Sequence, residues 1–281
     1  MSLEELLPYF ERRHPECFDL VNLPDERVKN GKKIRLVMDV QSCLHRLYGG
    51  YYNDWVCGGQ WNKLVDYINK LFRALNTTNI DLTVVFNGCA ESNRINQWKD
   101  IQDVHRSKSR QILSHVAAKG TPPPKIWWLP PVCLQTVLRL IIQAGVNVWC
   151  TLDEHHKELV QFYFQNKCDG IISDDFEFVT LGIKSYYVGS SFKFYKENTC
   201  SKTIINVKKL NLEKMMESLK IHHDHLIILT AILSNRILSN HFILCNNTLK
   251  CYKVKIIFLN NFKKFNKLLI MKISFYCLSE L

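Results

Sequence analysis

Gly170-Ile-Ile-Ser-Asp-Asp-Phe-Glu177 is a short apolar run that ends in three acids within four residues. Such a run, bounded by polar residues and too short for a helix, reads as a buried strand. A second run, Ile34-Arg-Leu-Val-Met38, leads into Asp39, and a third, Asp81-Leu-Thr-Val-Val-Phe86, leads into Asn87-Gly88. Further strands are expected at 146–150 and 184–188. Helical periods lie between them, as in 61–75, where apolar residues recur at 61, 64, 65, 68, 71, 72 and 75. Alternation of this kind predicts an α/β fold with a mainly parallel sheet.

The remaining segments are placed around that sheet. Residues 3–13 read as an amphipathic helix and 22–33 as a polar connector. Helices are expected from about 42, over 132–144 and 154–166, and again over 211–219 and 221–233. The stretch 91–118 is polar and reads as an exposed helix or arch.

The chain has 281 residues and a net charge of +11. Seven Lys and one Glu between 241 and 281 supply +6 of that, so residues 1–240 carry an ordinary +5. We therefore expect one domain over 1–240 and an atypical basic tail over 241–281, rich in Lys, Asn, Ile and Phe. That tail reads as an unusual or truncated terminus, or as a gene-model artefact. Eleven Cys without a C-x-x-C pair, behind an acidic start that lacks a signal-peptide plan, point to reduced thiols inside the cell. No apolar stretch is long enough to span a membrane, and no membrane partner is expected.

Acids at the carboxyl ends of parallel strands converge on one sheet edge, where they can hold the divalent metals of a phosphodiester-cleaving site. Asp39, Asp153, Glu154, Asp174, Asp175 and Glu177 are the candidate ligands. Asn87 stands where a further acid would be expected and weakens the hold on a dication. The competing reading of strand-end acids is helix capping, evenly balanced at Asp153. Adjacent His155 and His156 point in different directions on a helix and read as exposed surface. Tyr51, Tyr52, Trp55 and Trp61 read equally as base-stacking groups or loop packing. Trp127 and Trp128, inside the proline-rich stretch 122–131, read as an apolar strap or as a contact for a partner.

Two long motifs carry a resemblance. Cys43-Leu-His-Arg-Leu-Tyr-Gly-Gly-Tyr-Tyr-Asn-Asp-Trp-Val-Cys-Gly-Gly-Gln-Trp-Asn62 and Gly120-Thr-Pro-Pro-Pro-Lys-Ile-Trp-Trp-Leu-Pro-Pro-Val-Cys133 resemble the constitutive coactivators of PPAR-gamma and their coactivator-like relatives. Asp153-Glu-His-His-Lys-Glu158 is a shorter match. The resemblance implies a PIN-like domain of the flap-endonuclease/XPG superfamily, with a twisted, mainly parallel sheet and helices on both faces. It also implies a degenerate ligand ring. Asp39 is kept, and Asn87 replaces the acid of a Phe-Asp-Gly. One acid of a Glu-Ala-Glu survives at Asp153 or Glu154, with His155 or His156 in place of the other. Asp174-Asp175-Phe176-Glu177 matches a Glu-Asp-x-Asp, and Arg236 stands where a further Asp is expected. The N-terminus, Met1-Ser-Leu-Glu4, departs from the superfamily's Met-Gly-x-x-Gly. The implied role is a nuclear, non-catalytic regulator with transcription proteins, nuclear receptors or RNA as partners and no required cofactor. The alternative is a nuclease that uses Mg²⁺ or Mn²⁺ with a reduced carboxylate set.

Overall fold

The computed structural model describes residues 6–30, 33–47, 60–88, 95–121, 134–152, 154–196 and 202–234. The chain divides into a unit from Leu6 to Leu212, which holds the sheet, and a second made of Met1–Glu5 with Glu213–Leu281.

Among the described residues, seven strands form one sheet in the order β1-β7-β6-β5-β2-β3-β4. They are β1 Phe18–Asn22, β2 Ile34–Asp39, β3 Ile80–Phe86, β4 Asn147–Cys150, β5 Gly170–Ser173, β6 Tyr186–Lys196 and β7 Thr203–Leu210. The pairs from β4 through to β6 are all parallel, while β7 runs antiparallel to both β6 and β1. The α/β, mainly parallel sheet read from the sequence is therefore present. The chain builds outward from β2 through β3 to β4, then returns to place β5 on the other side of β2. That reversal makes the carboxyl end of β2 a topological switch point, where open α/β sheets bind ligands.

The helices of the sheet unit are α1 Leu6–Arg13, α2 Leu23–Asn30, α3 Val40–Leu47, α4 Trp61–Thr78, α5 Ile95–Lys119, α6 Leu134–Ile142 and α7 His155–Gln165. Helices α8 Leu212–Leu219 and α9 His223–Ser234 follow. Side-chain alternation sorts β2 into two faces. Leu36 and Met38 join Leu64, Ile68, Leu71 and Leu138 of α4 and α6 in one buried cluster. Val37, equally buried, lies outside that cluster, and Asp39 shares its parity. On the other face Phe10 of α1 stacks on Phe176 at 5.5 Å between ring centres, and α7 contributes buried Leu159 and Tyr163. Each large apolar side chain so buried contributes about 1.5–3 kcal/mol.

Three expectations need correction. Residues 22–33 are not all connector, because α2 begins directly after β1 with Asp25 and Glu26 in its first turn, where acids stabilise a helix start. The strand expected at 184–188 runs from Tyr186 to Lys196, past an irregularity between Val188 and Lys193. The antiparallel strands β1 and β7 were not foreseen. The exposed helix expected near 91–118 is α5, and Ile112 is the buried side chain among those described on it.

Candidate functional site

Asp39 is the last residue of β2 and is 2% exposed. An isolated carboxylate at that depth would be costly, so it must be paired. Its Oδ1 accepts from His155 Nε2 at 2.9 Å and from the Gln41 backbone N–H at 3.0 Å. Its Oδ2 accepts from Ser173 Oγ at 3.1 Å. A carboxylate has about four acceptor positions, and three are filled by named donors. Burial alone would raise its pKa. The His155 hydrogen bond and charge, with the Ser42 and Ser173 hydroxyls nearby, outweigh burial and lower it from the ordinary 3.8.

His155 is itself 8% exposed. Its other ring nitrogen, Nδ1, lies 3.3 Å from Thr151 Oγ1, and that hydroxyl accepts from the Gly88 N–H at 3.3 Å. A carboxylate without a proton only accepts, so Nε2 carries the hydrogen that faces Asp39. The ends of β2, β3 and β4 are thus joined through one imidazole. Gly88 makes this possible: a Cβ there would run into the Thr151 carbonyl oxygen.

A second imidazole–carboxylate pair lies beside the first. His156 Nε2 is 2.8 Å from Asp175 Oδ2, and Asp175 Oδ1 accepts from the Glu177 N–H at 2.9 Å, capping the 3-10 turn Phe176–Thr180. Both side chains are about 30% exposed. Burial would lower the His156 pKa. The hydrogen bond and charge of Asp175, with Glu177 and Asp39, outweigh it and raise the value. Asp174 turns the other way and accepts from the Ser190 N–H at 2.7 Å, and its own N–H donates to Ser42 Oγ at 2.9 Å.

The reading of His155 and His156 as exposed surface is overturned by this packing. Neighbouring helical residues do diverge, but the first turn of α7 sits between two acidic strand ends. One direction meets β2 and the other meets the end of β5. Of the six candidate acids, Asp175 and Glu177 lie with His156, Asp39 is paired with His155, and Asp174 is turned to the Ser190 N–H. Glu154 occupies the N-cap position of α7 without a side-chain capping bond, and Asn87 is exposed. Trp61 opens α4 and packs half-buried on the core, which favours the packing reading. Asp153, Arg236, Tyr51, Tyr52, Trp55, Trp127 and Trp128 lie outside the described residues. Thr151, Ser42 and Ser173 escaped the sequence reading, although a hydroxyl beside each strand end was visible.

The divalent ions that the sequence resemblance implies do not fit Asp39 in this arrangement. A bridging ligand must offer open lone pairs to metal and water, and this carboxylate is buried with an imidazole against it.

No family model matches the chain. Over 206 residues, 73% of its length, it is 37% identical to human constitutive coactivator of PPAR-gamma-like protein 1. The Xenopus tropicalis homologue of that protein is 35% identical over 206 residues. The chain spans 18% and 19% of those two relatives. Among solved structures it is similar to the catalytic core of Rad2 in complex with DNA substrate, at 15% identity and a TM-score of 0.46, covering 80% of this chain and 60% of that one. Over its matched residues the chain belongs with the constitutive coactivators of PPAR-gamma and their coactivator-like relatives.

Proposed function

We propose that this chain is a non-catalytic regulatory module, a nuclear transcriptional coactivator or RNA-binding scaffold built on a degenerate nuclease-type domain. The observation that carries the reading is the His155 imidazole on Asp39. A two-metal phosphodiesterase needs its central carboxylate open to cations, and here a ring nitrogen takes that position in a buried, hydrogen-bonded pair. The relatives' names supply the partner class: receptor-linked or other transcription proteins. Among the described residues no helix is long and apolar enough to cross a membrane. A second reading, a metal-dependent nuclease with a reduced ligand set, is favoured by Asp174, Asp175 and Glu177 remaining together after β5.

Incubation of the full chain with flap DNA and single-stranded RNA, in Mg²⁺ and then Mn²⁺, separates the two readings. The expected result is no cleavage above buffer. Cleavage that disappears in Asp175→Asn would replace the first reading with the second.

A further inference from the structure

Helix α5 runs for 25 residues, and Ile112 is the one side chain it buries among those described. Its interior reads Val104-His-Arg-Ser-Lys-Ser-Arg-Gln-Ile-Leu113. Val104 and Leu113 are 53% and 63% exposed, large apolar side chains left in water. Arg106 is paired with Asp103 at 2.7 Å, but both side chains are mostly exposed, so the pair contributes little. A helix with so few buried contacts belongs to the low end of local opening free energies.

We propose that Ser109 is a phosphorylation site for a serine kinase of the basic-directed class, and that the phosphate discharges the cationic surface of α5. The spacing around Ser109 suits a substrate bound extended. At about 3.3 Å per residue, Arg106 stands about 10 Å before the acceptor, Val104 about 16 Å before it and Leu113 about 13 Å after it. A cleft with a carboxylate for the guanidinium and a shallow apolar pocket at each flank takes all three. The helix offers no other account of the two apolar residues. Nine positions at about 100° each put Val104 and Leu113 on opposite sides, so they share no face. Among the described serines and threonines, no other has Lys or Arg three residues before it. Ser107 has Val104 there, and Ser114 has Gln111.

In the transfer, Ser109 Oγ attacks the γ-phosphorus of Mg²⁺-bound ATP. The bond from that phosphorus to the β,γ-bridging oxygen breaks, ADP leaves, and the hydroxyl proton passes to the kinase's base. Five Lys and Arg against two Asp give α5 a net charge of +3. A phosphoserine adds about −1.5 to −2, enough to remove more than half of it. Once the helix re-forms, residues three apart are neighbours, so the phosphate lies by Arg106 and competes with Asp103 for it. The phosphate therefore weakens any polyanion held on this surface. That consequence rests on the RNA reading of the proposed function, whereas the acceptor site does not.

The test incubates the full chain with Mg²⁺-ATP and a kinase domain that selects arginine three residues before its acceptor. One phosphate per chain is expected by intact mass, placed on Ser109 by fragmentation. Ser109→Ala should abolish uptake, and since Ala is the better helix former, that loss is not unfolding. Arg106→Gln should slow uptake at least about tenfold, the scale of one lost charge-assisted contact. Leu113→Asp should slow it as well, and Ser107→Ala should leave it unchanged. A chain that takes no phosphate from a kinase able to label the isolated 102–115 peptide overturns the site. So does a chain that takes it on another residue. Single-stranded RNA binding by the two forms then tests the consequence, with lower affinity and a smaller salt slope expected after phosphorylation. Equal affinity in both forms overturns the switch. RNA bound by neither form counts against RNA as the partner and leaves Ser109 the acceptor.

Discussion

His156 holds its proton against burial, which favours the neutral ring, because Asp175, Glu177 and Asp39 favour the charged one. The sign of the consequence follows from linkage. A histidine whose folded pKa is raised above the ordinary 6.5 contributes stability that is fully present below that value. The contribution is lost as pH rises through the folded value. Asp39 behaves oppositely. Its depressed pKa contributes stability above 3.8, lost as pH falls through the folded value. In metal-free protein the His156 ring, followed by NMR, should titrate above 6.5, and Asp175→Asn should bring the midpoint down. A midpoint at or below 6.5 in the unmodified chain would remove the pairing. At this scale the sequence was only half legible. The acids could be picked out because they end apolar runs, but the histidines could not. Whether a helix's first turn faces solvent or a sheet edge depends on how β4 and β5 flank β2, and local spacing does not encode that.

The elements themselves were easier to read. Strand β2, helix α4 and helix α7 follow from apolar periods. Strands β1 and β7 do not, because Phe18–Asn22 is short and mostly half-exposed, and Thr203–Leu210 carries two lysines on a mixed pattern. Their pairing is set by tertiary contact: β7 runs between β1 and β6 with Lys208 Nζ held 2.7 Å from Glu11 of α1. The join between β3 and β4 rests on a glycine. Gly88→Ala would drive a methyl group into the Thr151 carbonyl, which is backbone and cannot rotate away. We expect a loss of about 1–3 kcal/mol in denaturant unfolding, the usual penalty for overpacking. A change within about 0.5 kcal/mol would mean the two strand ends are not held this closely.

For the molecule as a whole, charge placement governs the RNA reading. Helix α5 presents Lys99, Arg106, Lys108, Arg110 and Lys119 at the surface, together with exposed Trp98 and Val104. If RNA is the partner, log affinity for a single strand should fall linearly with log salt, by about 0.7 for each phosphate neutralised. Charge reversal at Lys108 and Arg110 should flatten that slope by about the same 0.7 for each phosphate left without its cation. A salt-independent affinity would leave protein partners as the remaining class. The inner pair also bears on how the chain reaches this form. His155 meets Asp39 across 116 positions, and Ser173 meets it across 134. Contacts of such separation incur a large loop-closure entropy before they return anything, and chains dominated by them fold slowly. Asp39 is enclosed only once α7 and β5 have come to the end of β2, so this pair cannot close until those distant segments have met.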